Sequence, residues 1–227
     1  MTISVVIPVY NCEQYIGGAL ESVLGQVAGF EFEVIVVDDG STDASAQIAK
    51  SFGGEVKYHF QQNAGLGSAR NTGISLSRGN FLAFLDADDL WEPTKTQMQV
   101  QLLQDQPDVE AVFGLGVQFL SPELDPVYAS QLRVIDEATP TELCGTMLIR
   151  RKSFDRIGLF STTHFGTDIE WQVRARDYRL KSAMVESVVF RRRIHPKSLT
   201  ATKPACDSSY TRILKQSLDR RRRTTSR

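Results

Sequence analysis

The chain has 227 residues, 41% of them hydrophobic, with 26 basic and 27 acidic side chains and a formal net charge of −1. This length supports one hydrophobic core with a small appendage, and the ordinary aromatic and charged content excludes a disordered protein. Three distant cysteines, Cys12, Cys144 and Cys206, form no CxxC or CxxH pair, which excludes a disulfide framework and a structural zinc site. Because we find neither a signal peptide nor an apolar stretch long enough to span a membrane, we expect a cytoplasmic protein.

The charge is unevenly distributed along the chain. Residues 1–190 hold 14 basic and 25 acidic side chains, whereas residues 191–227 hold 12 basic and 2 acidic ones. A basic C-terminal segment can contact anionic lipid or nucleic acid, or it can fold back on the acidic body. We expect the end of this segment, from Arg220 onward, to fray into solvent.

The first half of the chain predicts strands that alternate with helices. Continuous β-branched and apolar runs indicate buried strands at residues 2–9, 33–37, 55–60 and 81–85. Helices are expected between them, at residues 11–24, 42–51 and 67–76. Asn11 is the expected N-cap of the first helix, and Thr42 or Asp43 that of the second. This alternation predicts a parallel sheet, which binds ligands beyond the carboxyl ends of its strands.

The pattern changes after Pro107. A helix from Pro93 to Gln104 is followed by two long apolar runs, at residues 109–120 and 127–135, which predict strands without a helix between them. Further strands are expected at residues 146–150 and 182–190, and helices at 167–177 and 208–218. The sequence therefore predicts one α/β domain with a parallel first half and a mixed-sheet second half, followed by a tail.

Carboxylates follow two of the predicted strands. Asp38 and Asp39 end the second strand, and Asp86, Asp88 and Asp89 end the fourth. Adjacent anions at the end of a buried strand repel one another unless a cation joins them. Oxygen ligands of this kind suit Mg²⁺ or Mn²⁺ held together with a substrate's phosphates. The alternative is a solvated turn in which an aspartate caps the next helix.

The glycine-rich segment at residues 63–71 (NAGLGSARN) enters a predicted helix. It lacks the third glycine of GxGxxG, and the chain has no GxxxxGK[ST], so neither a dinucleotide fingerprint nor a P-loop is present. A helix N-terminus beside Arg70 still favours an anion, although an ordinary capped loop explains the segment equally well. His195, which follows an apolar strand, is a candidate base or metal ligand.

Four motifs resemble family-2 glycosyltransferases in order and spacing: residues 5–11 (VVIPVYN), 34–43 (VIVVDDGSTD), 63–73 (NAGLGSARNTG) and 84–89 (FLDADD). The resemblance implies a GT-A-type nucleotide-diphospho-sugar transferase fold in a single domain at residues 1–204. Its nucleotide-binding half covers 1–107 and its acceptor-side half 108–204, with a C-terminal helix and basic tail at 205–227.

The same resemblance implies a metal-dependent, inverting transfer of a hexosyl or N-acetylhexosaminyl group. The donor is a nucleotide diphosphate sugar, with a UDP-sugar favoured, and the acceptor is a hydroxyl of a saccharide, lipid-linked or protein molecule. Nucleic acid is not an expected partner. Many members act at the inner face of a membrane, so a weak peripheral contact through the basic C-terminus is a further expectation.

The resemblance also implies individual roles. The nucleotide-sugar-binding residues are Pro8, Tyr10, Asn11, Asp39, Arg70, Asp86 and Ala87. Tyr10 can stack on the nucleobase, and Asp39 looks like the carboxylate that accepts from a uracil-type N–H. Arg70 matches the position near base and phosphates, and Asp86 the one near ribose and sugar. Asp88 is implied to hold Mg²⁺ or Mn²⁺, with a metal contact from His195, which ends an Arg-x-His segment.

An inverting transfer needs a base that takes the acceptor hydroxyl's proton. Residues 165–171 (FGTDIEW) resemble the family segment that supplies it from a Glu-Asp pair, with Thr167 in place of the glutamate. Asp168 aligns with the base, and Glu170 is the second candidate. A helix cap at Asp168 is the purely structural interpretation.

Two other functions remain open from the sequence. A nucleotidyltransferase would carry a glycine- and Lys/Arg-rich loop after the first strand, where this chain has Tyr-Asn-Cys-Glu-Gln. A catalytically inactive module that binds a sugar nucleotide is weakly favoured by Thr167, and the intact aspartates argue against it. Transfer of a labelled sugar, compared with simple binding, separates an active glycosyltransferase from the inactive module.

Overall fold

The computed structural model describes residues 1–27, 29–132, 134–162, 166–196 and 209–225. The strands are β1 (Thr2–Val9), β2 (Glu31–Asp38), β3 (Val56–Phe60), β4 (Phe81–Phe84), β5 (Leu90–Trp91), β6 (Ala111–Leu120), β7 (Thr139–Thr141), β8 (Leu148–Arg150) and β9 (Ser182–Ile194). The helices are α1 (Ile16–Leu24), α2 (Ser45–Ser51), α3 (Leu66–Leu76), α4 (Lys95–Asp105), α5 (Pro126–Gln131), α6 (Arg151–Ile157), α7 (Thr167–Asp177) and α8 (Ser209–Thr225). Short 3-10 turns lie at Gly53–Glu55 and Cys144–Thr146.

The described strands form one sheet in the spatial order β3-β2-β1-β4-β8-β6-β9-β5, and β7 pairs with β6. Strands β3, β2, β1 and β4 are parallel, with Val5 opposite Val34 and Ala83. Beyond β4 the directions mix: β8 is antiparallel to β4 and β6, β9 is parallel to β6, and β5 is antiparallel to β9. This confirms the predicted α/β architecture with a parallel first half and a mixed second half.

Helices cover both faces of the sheet, so β1 is buried on each side. Val5 and Ile7 belong to the apolar cluster that contains α1, whereas the intervening Val6 belongs to the cluster on the other face. The same alternation of side chains explains why a parallel strand reads as a continuous apolar run. Helix α3 can lie close to β1 because Gly73 faces Val6, where a Cβ would overlap the valine methyl group.

The predicted strand at residues 127–135 is wrong. The chain forms helix α5 there, and β7 follows it. Pro126 occupies the first turn, where its fixed φ suits a helix, and Asp125 Oδ1 accepts from the Val127 amide at 2.9 Å. The structure also adds β5 and α6, which the sequence did not predict, and extends β9 to Ile194.

The predicted N-cap at Asn11 is also wrong. Helix α1 begins after Tyr15, and Asn11 instead adopts a left-handed conformation with a φ of 48°. Its Oδ1 accepts from the Thr42 amide at 2.8 Å, which ties the turn after β1 to the turn after β2. Asparagine tolerates this backbone region better than most residues, which suits it to a tight turn at the sheet edge.

The C-terminal segment folds back on the domain as helix α8. Arg220 Nε and Arg221 Nε lie 2.9 and 2.8 Å from the carboxylate of Asp177, at the end of α7. The expectation that the chain frays from Arg220 onward is therefore wrong for these two residues, because a buried carboxylate binds them. The predicted domain boundary at residue 204 lies outside the described residues.

Candidate functional site

Three parallel strands end at one edge of the sheet and bring several predicted site residues together there. Pro8 is buried in β1, and Tyr10 just beyond it is 54% exposed, so its ring is open to a ligand. Asp39 follows β2 and is nearly buried. Its carboxylate accepts from the amides of Ala64 and Gly65, each at 2.9 Å. Asp39 therefore holds the glycine-rich loop against the strand end.

The neighbouring Asp38 is structural. Its carboxylate accepts from the Ser41 amide at 2.8 Å and from the Tyr58 hydroxyl at 2.7 Å. Burial of Tyr58 and its bond to Asp38 raise the pKa of the tyrosine well above its usual value, so the hydroxyl stays a donor. Both side-chain contacts of Asp38 are thus within the fold, whereas Asp39 contacts the glycine-rich loop.

Arg70 joins the two carboxylates that the sequence assigned to different steps. Its guanidinium donates to Asp86 Oδ1 at 2.7 Å through one nitrogen and to Asp168 Oδ1 through the other. The side chain is 1% exposed and lies over the Phe160 ring. Burial alone would lower the pKa of Arg70, but Asp168 and Asp86 hold it well above its usual value. Arg70 therefore stays charged and fixes the start of α7 against the end of β4.

Asp88 and His195 form a second pair on the same edge. Asp88 Oδ2 lies 3.0 Å from His195 Nε2, and the imidazole is 5% exposed. Arg193 closes the strand end around them: its amide donates to Asp89 Oδ1 at 2.8 Å and its Nε to the Asp88 carbonyl at 3.0 Å. β9 thus brings the predicted Arg-x-His segment onto the carboxylates.

Negative charge is concentrated at this edge, where Asp86, Asp88 and Asp89 lie within four residues of one another. Burial raises the pKa of Asp89 well above its usual value, and the charges of Asp88 and Asp86 add to the effect. A cation placed beside these groups would relieve that repulsion.

The donor set at Asp88 fits a divalent cation. The pair presents one carboxylate oxygen and one imidazole nitrogen. Within the described residues, no group of three or more His, Cys, Asp or Glu side chains could hold a metal ion. Mg²⁺ and Mn²⁺ suit such an arrangement, since they are commonly bound by few protein groups together with substrate phosphates and water.

The two candidate bases occupy different places. Asp168, in the first turn of α7, has a side chain that is 22% exposed and faces Arg70 and Asp86 through its ion pair. Glu170 is nearly buried, and its carboxylate pairs with Arg174 at 3.3 Å and with Arg220 at 3.8 Å. The geometry favours Asp168, because Glu170 is committed to the contact between α7 and α8.

The remaining predicted residues are near the same edge. Asn11 links the first two strand ends, as described above, and Ala87 is 5% exposed between Asp86 and Asp88. Sequence reasoning missed Gln61, whose Nε2 donates to Asp39 Oδ1 at 2.7 Å. It also gave no functional role to Tyr15, although the ring contacts His195. Gln61 could have been found because it is a polar residue directly after β3. Nothing in the sequence pointed to the contact of Tyr15 with His195.

The described residues include no helix with both the length and the apolar content to cross a membrane. Helix α8 has a second face that does not contact α7, where Leu214 is 61% and Leu218 53% exposed. Of the arginine run that begins at Arg220, the first two side chains bind Asp177. Part of the basic segment therefore forms ion pairs with the rest of the chain.

Comparisons with known proteins agree with this geometry. Residues 4–158 match the family described as glycosyl transferase family 2. The chain is 30% identical over 213 residues to an uncharacterized glycosyltransferase of Rickettsia prowazekii, an overlap of 88% of this chain and 66% of that protein. It is 29% identical over 228 residues to the uncharacterized glycosyltransferase EpsJ of Bacillus subtilis, covering 90% and 65% respectively. The chain therefore spans just under two thirds of the length of these relatives.

Solved structures share the fold. S. aureus TarS 1–349 in complex with UDP-GlcNAc superposes with a TM-score of 0.76 at 19% identity, covering 97% of this chain and 66% of that one. The same fragment in complex with UDP gives a TM-score of 0.69 at 19% identity, covering 97% and 71%. This likeness confirms the predicted GT-A-type architecture, including its mixed second half.

Proposed function

The chain belongs to glycosyl transferase family 2, and from that premise we propose that it transfers a sugar from a nucleotide diphosphate sugar to a hydroxyl acceptor, with inversion and with Mg²⁺ or Mn²⁺. One observation carries the proposal. The edge of the sheet joins an exposed aromatic ring, an Asp88–His195 pair and an Asp86–Arg70–Asp168 bridge, so that nucleotide, diphosphate and acceptor sites adjoin.

In this proposal, the nucleotide sugar binds at the carboxyl ends of the parallel strands. The Tyr10 ring stacks on the base, and Asp39 accepts from the base's N–H with the lone pairs that its loop contacts leave open. We favour UDP, because a carboxylate matches the N–H of uracil and because TarS, which shares the fold, was solved with UDP-GlcNAc and with UDP. Asp86 faces the ribose and sugar from its bond with Arg70.

Asp88 and His195 would hold the divalent cation, which supplies Lewis-acid neutralisation of the departing diphosphate. Arg193 keeps this pair in place through its bonds to the backbone of Asp88 and the carboxylate of Asp89.

The acceptor half centres on Asp168. Its carboxylate takes the proton from the acceptor hydroxyl as that oxygen bonds to the anomeric carbon, while the bond to the diphosphate oxygen breaks and the nucleotide leaves with the electron pair. Arg70 holds Asp168 beside Asp86, so the base and the sugar-binding carboxylate keep a fixed separation. Such fixed placement is a large source of rate enhancement.

A binding panel with a turnover assay tests the proposal. We expect UDP to raise the melting temperature more than GDP, TDP or CDP, and by a larger amount when Mn²⁺ is present. We also expect release of UDP from at least one UDP-sugar when saccharide acceptors are supplied. Stabilisation without any transfer would identify an inactive binding module instead, and no stabilisation by any nucleotide would overturn the proposal.

We further propose that the protein works in the cytoplasm and that its contact with a membrane, if the exposed face of α8 makes one, is weak. Each basic residue near an anionic leaflet contributes about 1 kcal/mol, screened beyond about 8 Å at physiological salt. Because Arg220 and Arg221 bind Asp177, the surface retains fewer of these charges than the sequence offers.

A further inference from the structure

Beside the proposed metal pair lies a cluster formed by Tyr15, Glu123 and His195. The Tyr15 ring packs on the imidazole with ring centroids 4.6 Å apart and planes tilted by 50°. Both side chains are buried, at 8% and 5% exposure. The Tyr15 hydroxyl donates to Glu123, an exposed residue in the loop between β6 and α5. The cluster therefore joins three distant parts of the chain.

Each end of the cluster is itself held in place. Ser121 Oγ donates to the second oxygen of Glu123 at 2.6 Å, so the carboxylate is fixed on both sides. Burial and the bond to Glu123 raise the pKa of Tyr15 to about 12, which keeps its hydroxyl a donor. The Arg193 guanidinium lies 4.8 Å from the centre of the Tyr15 ring, so Tyr15 contacts both Arg193 and His195 of the Arg-x-His segment.

The position of the imidazole matters because Nε2 must face Asp88 to serve the metal. A histidine ring can rotate about its Cβ–Cγ bond, a torsion with broad minima. The Asp88 contact fixes one ring atom only, whereas a packed neighbouring ring fixes the plane. Residues that orient a ligand in this way change metal affinity or activity by about 10- to 100-fold when they are removed.

We propose that Tyr15 is a positioning residue that sets the orientation of His195, and that Glu123 holds Tyr15 in place from the acceptor-side half. The inference rests on the proposed function, since it gives Tyr15 a role toward the Asp88–His195 metal pair. It goes beyond that function because neither residue touches the nucleotide, the metal or the reacting atoms. The loop after β6 thereby reaches the donor site through one tyrosine.

The first test needs no metal. The chain has three histidines, so ring-proton NMR resolves His195, identified as the signal missing in His195→Gln. The ring current of the nearby Tyr15 ring shifts these protons away from the values of an exposed histidine. We expect Tyr15→Leu to abolish the shift, Glu123→Ala to reduce it and Tyr15→Phe, which keeps the ring, to retain most of it. Glu137→Ala, which removes another exposed carboxylate of the same half, is the matched control.

The second test measures UDP affinity by calorimetry with and without Mn²⁺. In Tyr15→Leu we expect about tenfold weaker Mn²⁺-dependent binding, with metal-free UDP affinity unchanged. Glu123→Ala should lose less of the Mn²⁺-dependent UDP affinity than Tyr15→Leu, and Tyr15→Phe should retain most of it. Glu137→Ala should match the wild type.

The outcomes separate the two proposals. If the wild type itself shows no Mn²⁺-dependent binding, the proposed function fails, whereas the NMR shifts still decide the position of Tyr15. If the wild type binds and both Tyr15→Leu and Glu123→Ala bind equally well, Tyr15 is not a positioning residue. Should Tyr15→Leu not fold, Glu123→Ala decides alone, because this exposed residue can be replaced without disturbing the core; a wild-type His195 signal in that variant overturns the role of Glu123.

Discussion

Single residues at the sheet edge carry the metal proposal, and Asp88 is the most direct of them. Its carboxylate lies beside those of Asp86 and Asp89, whose mutual repulsion a bound cation would relieve. We expect Asp88→Ala to remove the Mn²⁺-dependent part of UDP binding, measured by calorimetry, with an unchanged melting temperature in the absence of ligand. Asp105→Ala, at an exposed helix end, serves as the control. Unchanged Mn²⁺-dependent affinity in Asp88→Ala would refute the assignment.

The base can be tested separately from the donor site. Asp168→Asn keeps the shape of the side chain and removes its ability to take a proton. We expect transfer to fall by about 10²–10⁴-fold, since a general base contributes that much, while UDP affinity stays near the wild-type value. Turnover and calorimetry on the same preparation give both quantities. Wild-type turnover would exclude Asp168 as the base, and a variant that does not fold would make it a structural residue.

Lys95 shows how a single buried charge makes stability depend on pH. The side chain is 0% exposed, with its Nζ 2.7 Å from Gln99 Oε1 and 4.2 Å from the Trp91 ring centre, both uncharged. Burial lowers the pKa of Lys95 well below its usual value. The unfolded chain therefore binds the proton more readily than the folded one, and stability must rise with pH until the unfolded lysine also deprotonates.

The test compares the wild type with Lys95→Met by urea unfolding between pH 7 and pH 10. We expect the free energy of unfolding of the wild type to gain on the variant as the pH rises, by at most about 1.4 kcal/mol per pH unit. Lys152→Met, at an exposed position, should show no such trend. A pH-independent difference between wild type and Lys95→Met would mean that Lys95 is charged in the folded protein.

At the scale of elements, the pairing of β6 with β9 depends on one glycine. A Cβ on Gly114 would lie 2.5 Å from Val189 Cγ2 and 3.0 Å from Val185 Cγ2. The register of the two strands shifts directly after Gly114, so the close approach accompanies a bulge. Glycine is usually unfavourable in a strand because it loses more backbone entropy on folding than other residues. At position 114 the absence of a side chain is needed for β6 and β9 to pack this closely.

We expect Gly114→Ala to lower the free energy of unfolding by about 1–3 kcal/mol, because overpacking exceeds the gain in backbone entropy. Val189→Ala should relieve the overlap, so the double variant should be more stable than the sum of the two single effects. Urea denaturation of the four proteins measures the coupling. Additive effects would show that the strands adjust without strain.

The elements differ in how far local sequence determines them. Strands β1, β2 and β4 were predictable because both their faces are buried, which leaves an uninterrupted apolar run, and the carboxylates that follow β2 and β4 marked the candidate site. Strand β5 could not be predicted, because Leu90 and Trp91 form a strand only by pairing with β9, about a hundred positions further along the chain. The error at residues 127–135 has a local cause: Asp125 and Pro126 start a helix before apolar residues that read as a strand.

The same division holds for the candidate site. Motifs place Asp39, Asp86 and Asp88, since Asp39 directly follows β2 and the other two lie within four residues of the end of β4. The contact of Tyr15 with His195 and the bridge from Arg70 to Asp168 join residues far apart in the chain. No spacing in the sequence encodes such contacts, because they depend on the order of strands in the mixed half of the sheet.

At the scale of the whole molecule, folding brings part of the basic C-terminal segment into contact with the acidic rest of the chain. Helix α8 neutralises Asp177 with two arginines and leaves Leu214 and Leu218 on its outer face. We expect weak co-sedimentation with anionic vesicles at low salt, lost at high salt and in a Leu214→Ser/Leu218→Ser variant. Arg78→Ser, which removes an exposed positive charge outside α8, is the control. If the protein does not co-sediment with anionic vesicles at low salt, the proposed membrane contact is wrong.

The place of β9 between β6 and β5 determines when the proposed metal pair can form during synthesis of the chain. Asp88 and His195 are 107 residues apart, and β5 pairs only with the strand that ends beside His195 in the described structure. At about 5–20 residues per second, the ribosome delivers the histidine roughly 5–20 s after the aspartate. We therefore expect nascent chains that end before residue 182 to form the parallel half and yet bind no nucleotide through metal, so that premature termination yields inert fragments rather than partial enzymes.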